Sequence, residues 1–145
     1  MPASVVISGT GLFTPPHSIS NDELVASLSE AVAAWNEAHA DEIERGEVVA
    51  RSAPDAEFIV KASGIESRYV MEKEGVLDPT RLRPHLPLRG EDELGLQAEM
   101  ALPAIHEALA QAGRRPDEVD AIIVGCSNLQ RAYPAVAIEI QHALG

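Results

Sequence analysis

Cys126 and Ser127 are the side chains whose placement most invites chemistry. They follow directly on Ala121-Ile-Ile-Val-Gly125, an apolar run of the kind that forms a strand covered on both faces. In α/β folds, ligand and catalytic groups gather at the carboxyl ends of strands. A thiol there becomes a nucleophile when a neighbouring histidine or a helix N-terminus lowers its pKa. The next helix begins several residues later, near Pro134, so Cys126 is expected to be a small buried hydrophobe with a structural role. Ser8 and Ser127 lack the context of a nucleophile elbow. His17, His39, His85, His106 and His142 show no metal-ligand spacing with one another or with Cys126, and no metal site is expected. Gly9-Thr-Gly11 lacks the third glycine and the helix of a dinucleotide fingerprint.

Composition narrows the class of partner. A formal net charge of −12 argues against a nucleic-acid surface, which needs clustered cations, and against attraction to anionic membranes. No apolar run approaches the roughly 18 residues that span a bilayer. Met1-Pro-Ala-Ser-Val-Val-Ile-Ser-Gly9 lacks the basic region and apolar core of a signal peptide, and one cysteine excludes an internal disulfide framework. The expectation is a cytoplasmic protein with an ordinary globular composition. Arg81, Arg83 and Arg89, and the pair Arg114-Arg115, read as solvated cations, with a phosphate or acidic partner as the minor reading.

The elements that must position these residues alternate between β and α signals. Ser4–Ser8 reads as a strand ending in a tight turn at Gly9-Thr-Gly11, and Thr14-Pro-Pro-His17 as an extended connection. Ser20 or Asn21 caps a helix with acidic residues in its first turn and Leu24, Val25, Leu28, Val32 and Trp35 at helical period; no comparable stop signal precedes Gly46. Residues 36–55 form a polar, partly helical excursion. A short helix over 57–61 ends at Gly64, and Ile65–Val70 alternates as a strand. Residues 72–92, rich in proline and glycine, predict a long irregular loop, a feature that is often functional. Glu93–Ala112 is the strongest helix, stopped by Gly113 and kinked or broken at Pro103. Ala121–Val124 is the next strand, followed by the helix from Pro134.

Glu57-Phe-Ile-Val-Lys-Ala-Ser-Gly-Ile-Glu-Ser-Arg-Tyr-Val70 resembles the segment after the first helix of β-ketoacyl-ACP synthase III enzymes. Ala108–Gly113, Val119–Gly125 and Tyr133-Pro-Ala with Gln141-His-Ala-Leu-Gly145 are similar to that family's next elements in order, and Ile7–Pro15 to its opening. The resemblance covers most of the chain outside the excursions at 36–55 and 72–92. It implies the N-terminal half of a thiolase fold, an α/β half-domain with a mixed five-stranded sheet covered by helices, incomplete over residues 1–145.

The resemblance further implies decarboxylative Claisen condensation of an acyl-CoA primer with malonyl-ACP in fatty acid biosynthesis. A Cys-His-Asn triad carries that chemistry, through a thioester on the cysteine. The family's nucleophile lies shortly past the Leu-Gly matched here, and its His and Asn lie in the second half. None of the three is therefore expected in this chain, Cys126 does not take that role, and the chain alone is expected to be inactive. Acyl-CoA enters as substrate, and no cofactor is implied.

Three substrate-binding residues carry over. Phe58 stands where the family has an aromatic stacking on the CoA adenine, Ser127 where a small hydroxyl residue lines the acyl pocket, and Tyr133 where an aromatic crosses a homodimer interface to close the partner's pocket. Ala62 replaces the arginine on the adenine's other face, so another cation must substitute or the grip is weaker. The partners implied are acyl-CoA, acyl carrier protein and a second copy. The loop at 72–92 exceeds that of short-primer members, and the expectation is that it covers the acyl or CoA entrance and admits primers longer than acetyl. A non-catalytic half-subunit or binding module, or a related thiolase-fold enzyme such as hydroxymethylglutaryl-CoA synthase, is the alternative. Residues 1–145 read as ending at a truncation point, with an uncovered apolar face that favours association.

Overall fold

The computed structural model describes residues 4–128 and 130–145. Met1–Ala3, where the leader reading begins, and Leu129 lie outside the described residues. The chain forms two compact units: Pro15–Pro87, and Leu88–Gly145 together with the N-terminal segment through Thr14.

The Pro15–Pro87 unit is built on a two-stranded antiparallel sheet. β1 (His17–Ser20) pairs with β2 (Ser67–Val70) in the register His17 to Val70 and Ser20 to Ser67. Ile19, fully buried, anchors it. β1 begins at His17, the last residue of the extended connection predicted over Thr14–His17, and is not itself predicted. Pro15 and Pro16 keep the chain extended up to His17, and β2 supplies the ladder for the four residues that follow.

Ser20 then ends the strand and starts α1 (Asn21–Ala38). Its Oγ accepts from Glu23 N at 3.2 Å while Glu23 Oε2 accepts from Ser20 N at 2.9 Å, a capping box that satisfies two orphan donors. Lys73 donates to Glu23 Oε1 at 2.6 Å. That hydrogen bond, with those from Ser20, lowers the Glu23 carboxyl from its ordinary 4.5 to about 2. α1 stops at His39, short of Gly46, and α2 (Ala40–Glu44) follows. The stop is local: His39 stacks on Trp35 with centroids 4.1 Å apart, and its Nδ1 lies 2.8 Å from Trp35 O.

Asp55 caps α3 (Ala56–Ser63), accepting from Phe58 N at 2.5 Å, and Gly64 closes it at φ 71°, the left-handed conformation glycine adopts without penalty. The loop from 72 is more ordered than its composition predicts. It opens with one helical turn, α4 (Glu74–Leu77), and Glu72 ties its ends together. The Glu72 carboxylate accepts from Gly75 N at 2.8 Å and from His85 N at 2.7 Å, and these backbone donors hold it below the usual carboxylate range.

In the second unit α5 (Leu96–Ala112) is the central element and α6 (Val136–Leu144) packs on it. α5 runs through Pro103 without a break and ends at Gly113, φ 62°. Gly9-Thr-Gly11 lies against α5, and here the glycines have a steric reason. A methyl on Gly9 would collide with Ala108 O, and one on Gly11 with Ala104 O. Thr10 N donates to Gln111 Oε1 at 2.6 Å and Leu12 N to Glu107 Oε2 at 2.9 Å, fixing the approach.

The two strands expected at Ser4–Ser8 and Ala121–Val124 are not strands here: both segments lie outside the sheet. Val5 is 97% and Ile123 95% exposed, so the covered strand predicted from the apolar run is corrected to an uncovered segment. Apolar sequence favours a strand only when a neighbour supplies the ladder and a second layer covers the face.

Candidate functional site

Two concavities in the Leu88–Gly145 unit stand beside the residues singled out from sequence. The larger, about 840 Å³, is apolar; Ala101, Ile105 and Leu109 of α5, Ile122 and Val124 of the extended segment, and Ile140 of α6 face it. Ser127 lies just past that segment, exposed in the loop before α6. Cys126 is also exposed, with its thiol donating to Asn128 O at 2.7 Å. The buried role expected for Cys126 is therefore corrected, because its segment is not enclosed in a sheet.

The second concavity, about 640 Å³, has Arg89, Gly90 and Glu91 on one wall and Arg131, Tyr133 and Pro134 on the other. Tyr133 is 87% exposed. A polar network joins the two walls. Glu139 of α6, only 6% exposed, accepts from Gly95 N at 2.9 Å and lies 3.2 Å from Arg131 Nε. Arg131 in turn donates through Nη2 to Glu93 O at 2.7 Å and through Nη1 to Glu91 O at 3.2 Å. Gln130 Oε1 accepts from Leu96 N at 2.8 Å.

The chemistry of this network is that of a helix N-terminus capped from a distance. Gly95, the N-cap of α5, has no side chain to serve its own first turn. Glu139 and Gln130 supply the acceptors instead, and the carboxylate complements the positive end of the helix. A Cβ on Gly95 would sit 2.7 Å from Glu139 Oε2, so the carboxylate would have to shift to admit one. Sequence reasoning missed Arg131 and Glu139. The available signal was a lone carboxylate between Ile138 and Ile140 in an apolar helix, where a buried charge demands a cation.

Four of the clustered arginines, Arg81, Arg89, Arg114 and Arg115, are engaged within the chain. Arg89 pairs with Glu99 and donates to Leu94 O at 2.8 Å, Arg114 meets Glu118 at 2.9 Å, and Arg115 meets Asp117 at 2.5 Å. In the other unit Arg81 donates to Arg83 O at 3.0 Å.

Phe58 belongs to the Pro15–Pro87 unit, on the first turn of α3. Phe58 is 60% exposed, with Ala62 four residues on in the same helix. An exposed aromatic beside a small residue leaves a face open for stacking. Among the described residues no group of three or more His, Cys, Asp or Glu can hold a metal ion, and no helix is long and apolar enough to cross a membrane.

No family model matches the chain. Curated relatives do. It is 52% identical over 119 residues to a β-ketodecanoyl-acyl-carrier-protein synthase of Pseudomonas aeruginosa, covering 82% of this chain and 34% of that protein. It is 31% identical over 140 residues to a β-ketoacyl-acyl-carrier-protein synthase III of Granulibacter bethesdensis, covering 97% of this chain and 30% of that protein. A synthase III of Rhizobium meliloti is 38% identical over 81 residues, 56% of this chain and 24% of its own length. The chain spans about a third of the length of the first two relatives. Over that stretch its sequence is β-ketoacyl-acyl-carrier-protein synthase III-like.

Proposed function

We propose that residues 1–145 are the N-terminal thiolase-like half-domain of a β-ketoacyl-ACP synthase III-like condensing enzyme of fatty acid biosynthesis, with excursions at about 36–55 and 72–92. The observation that carries this is the 52% identity to a β-ketodecanoyl-ACP synthase over 82% of the chain. In this reading an acyl-CoA primer transfers its acyl group to a cysteine outside this chain and releases CoA. Malonyl-ACP then loses carbon dioxide, and the carbanion attacks the thioester to give β-ketoacyl-ACP and the free cysteine. That condensation lengthens the primer by two carbons, so a β-ketodecanoyl product demands an octanoyl primer.

Phe58 stacks on the CoA adenine, while Ser127 and Tyr133 line the acyl pocket, Tyr133 reaching across a homodimer interface. Acyl carrier protein is the second substrate's carrier, the enzyme is cytoplasmic, and no cofactor takes part. The mixed five-stranded sheet of the half-domain takes in the segments 4–8 and 121–124, whose exposed apolar side chains support an assembly larger than the two-stranded sheet. The loop at 72–92 covers the acyl or CoA entrance and admits primers longer than acetyl.

The test is acylation of the complete gene product by octanoyl-CoA, read as intact mass and then by peptide mapping. The expected result is one acyl group per chain on a cysteine outside residues 1–145. Acylation at Cys126, or none with any acyl-CoA, contradicts the reading.

A further inference from the structure

We propose that Arg81, Arg83 and His85 form a binding site for a phosphate monoester, on the functional reading the 3′-phosphate of the acyl-CoA substrate. The inference deepens that reading and rests on it for the source of the phosphate. With Asp78 and Thr80, the three residues line an open concavity of about 380 Å³ in the Pro15–Pro87 unit. Phe58 belongs to the same unit, and Ala62 leaves its helix without the arginine that the family resemblance calls for.

A cation in a chain with 23 carboxylates against 11 lysines and arginines ordinarily finds a partner. Among the described residues, Arg45, Arg89, Arg114, Arg115 and Arg131 each pair with a carboxylate, whereas Arg81 and Arg83 do not. Arg81 is held instead by neutral acceptors: its Nε donates to Arg83 O at 3.0 Å and its Nη2 to Pro84 O at 3.3 Å. Its position is fixed while its charge stays uncompensated. The one carboxylate of the concavity, Asp78, is turned to its own loop, accepting from Thr80 N at 2.8 Å and Thr80 Oγ1 at 2.7 Å. Two guanidiniums and an imidazole thus stand against one carboxylate, and the balance favours an anion.

The loop is also built to present these cations. Leu82, between the two arginines, has φ 52°, a left-handed conformation unfavourable for a bulky residue. Arg83 N donates to Gly75 O at 3.0 Å, and Glu72 accepts from His85 N at 2.7 Å, so backbone bonds brace the turn. Gly75 is buried against the His85 ring, where a Cβ would come within 2.5 Å of His85 Cδ2. A guanidinium binds phosphate through paired N–H donors, and a doubly charged monoester matches two such groups. CoA carries one phosphate monoester, on its ribose 3′-oxygen, and dephospho-CoA lacks only that group.

The experiment measures binding of CoA, dephospho-CoA and inorganic phosphate to the complete gene product by titration calorimetry. Wild type is compared with Arg83→Gln and with Arg45→Gln, which removes the same charge elsewhere in the unit. Arg83 is exposed and makes its loop bonds through its backbone, so Arg83→Gln keeps the loop intact. Wild type is expected to bind CoA about tenfold more tightly than dephospho-CoA, the worth of one charge-assisted hydrogen bond. Arg83→Gln should narrow that ratio to about twofold by weakening CoA alone, and Arg45→Gln should leave it unchanged.

Equal narrowing in both variants is a diffuse charge effect and overturns the site. Inorganic phosphate that binds and is lost in Arg83→Gln, with CoA and dephospho-CoA bound alike, overturns the coenzyme as its source. Neither phosphate binding nor discrimination overturns the proposal outright. Condensation by a wild type that does not discriminate sinks this site alone, whereas discrimination by a protein that condenses no acyl-CoA sinks the functional reading and leaves the phosphate site standing.

Discussion

Glu139 Oε2 accepts a hydrogen bond from Gly95 N at 2.9 Å, so a carboxylate on α6 caps a helix whose N-cap lies 44 residues earlier. Gly95 is small enough to permit it, and Arg131 neutralises it. Removing one partner of a buried charged set leaves the other uncompensated. Glu139→Ala is expected to destabilise the protein by about 3 kcal/mol in urea unfolding, and Glu139→Gln by less, because the amide oxygen can still accept from Gly95 N.

The glycines against α5 make a second expectation. Gly11→Ala places a methyl into Ala104 O and should cost about 1–3 kcal/mol, as overpacking does. Gly125→Ala meets nothing within 4 Å and should fall within about 0.5 kcal/mol of wild type. Equal effects at the two positions would contradict the packing described for residues 9–11.

These contrasts show what the sequence could and could not reveal. Ser20 with Glu23 three residues on, Gly64 and Gly113 all signal helix ends through bonds within one turn, and the structure has them. The β1–β2 pairing was hidden because four residues after a Pro-Pro pair carry too little alternation to register. The tether of Arg131 and Glu139 to residues 91–95 was hidden for another reason: its partners are some forty residues apart, and no local pattern links them. Phe58 and Tyr133 came from family resemblance. The structure shows both rings exposed, in different units.

Acid should weaken the Pro15–Pro87 unit through Glu23. Its folded carboxyl lies at about 2 against an ordinary 4.5, held there first by Lys73 and then by Ser20. A depressed folded value gives stability that is complete above pH 4.5 and lost as pH falls toward 2. Glu72 and Asp78, also lowered, act in the same direction. Glu23→Gln should flatten part of this acid limb in pH-dependent thermal unfolding. An acid limb identical to wild type would contradict the assignment.

If Phe58 stacks on adenine, Phe58→Ala should raise the KM for acyl-CoA by about tenfold with kcat little changed, in line with roughly 1–3 kcal/mol per stacked base. Ala62→Arg should lower the same KM by supplying a cation over the base. Steady-state kinetics of the complete gene product decides both.

Expressed alone, residues 1–145 should self-associate, because Val5, Ile7 and Ile123 expose apolar edges with no ladder partner. Sedimentation velocity should show species heavier than a monomer. A clean monomer with cooperative unfolding would contradict this.

Condensation itself is open to direct measurement. Complete gene product given octanoyl-CoA and malonyl-ACP should release CoA and carbon dioxide and yield β-ketodecanoyl-ACP, read by mass spectrometry of the carrier. Absence of any β-ketoacyl-ACP across primers from acetyl to decanoyl would contradict it.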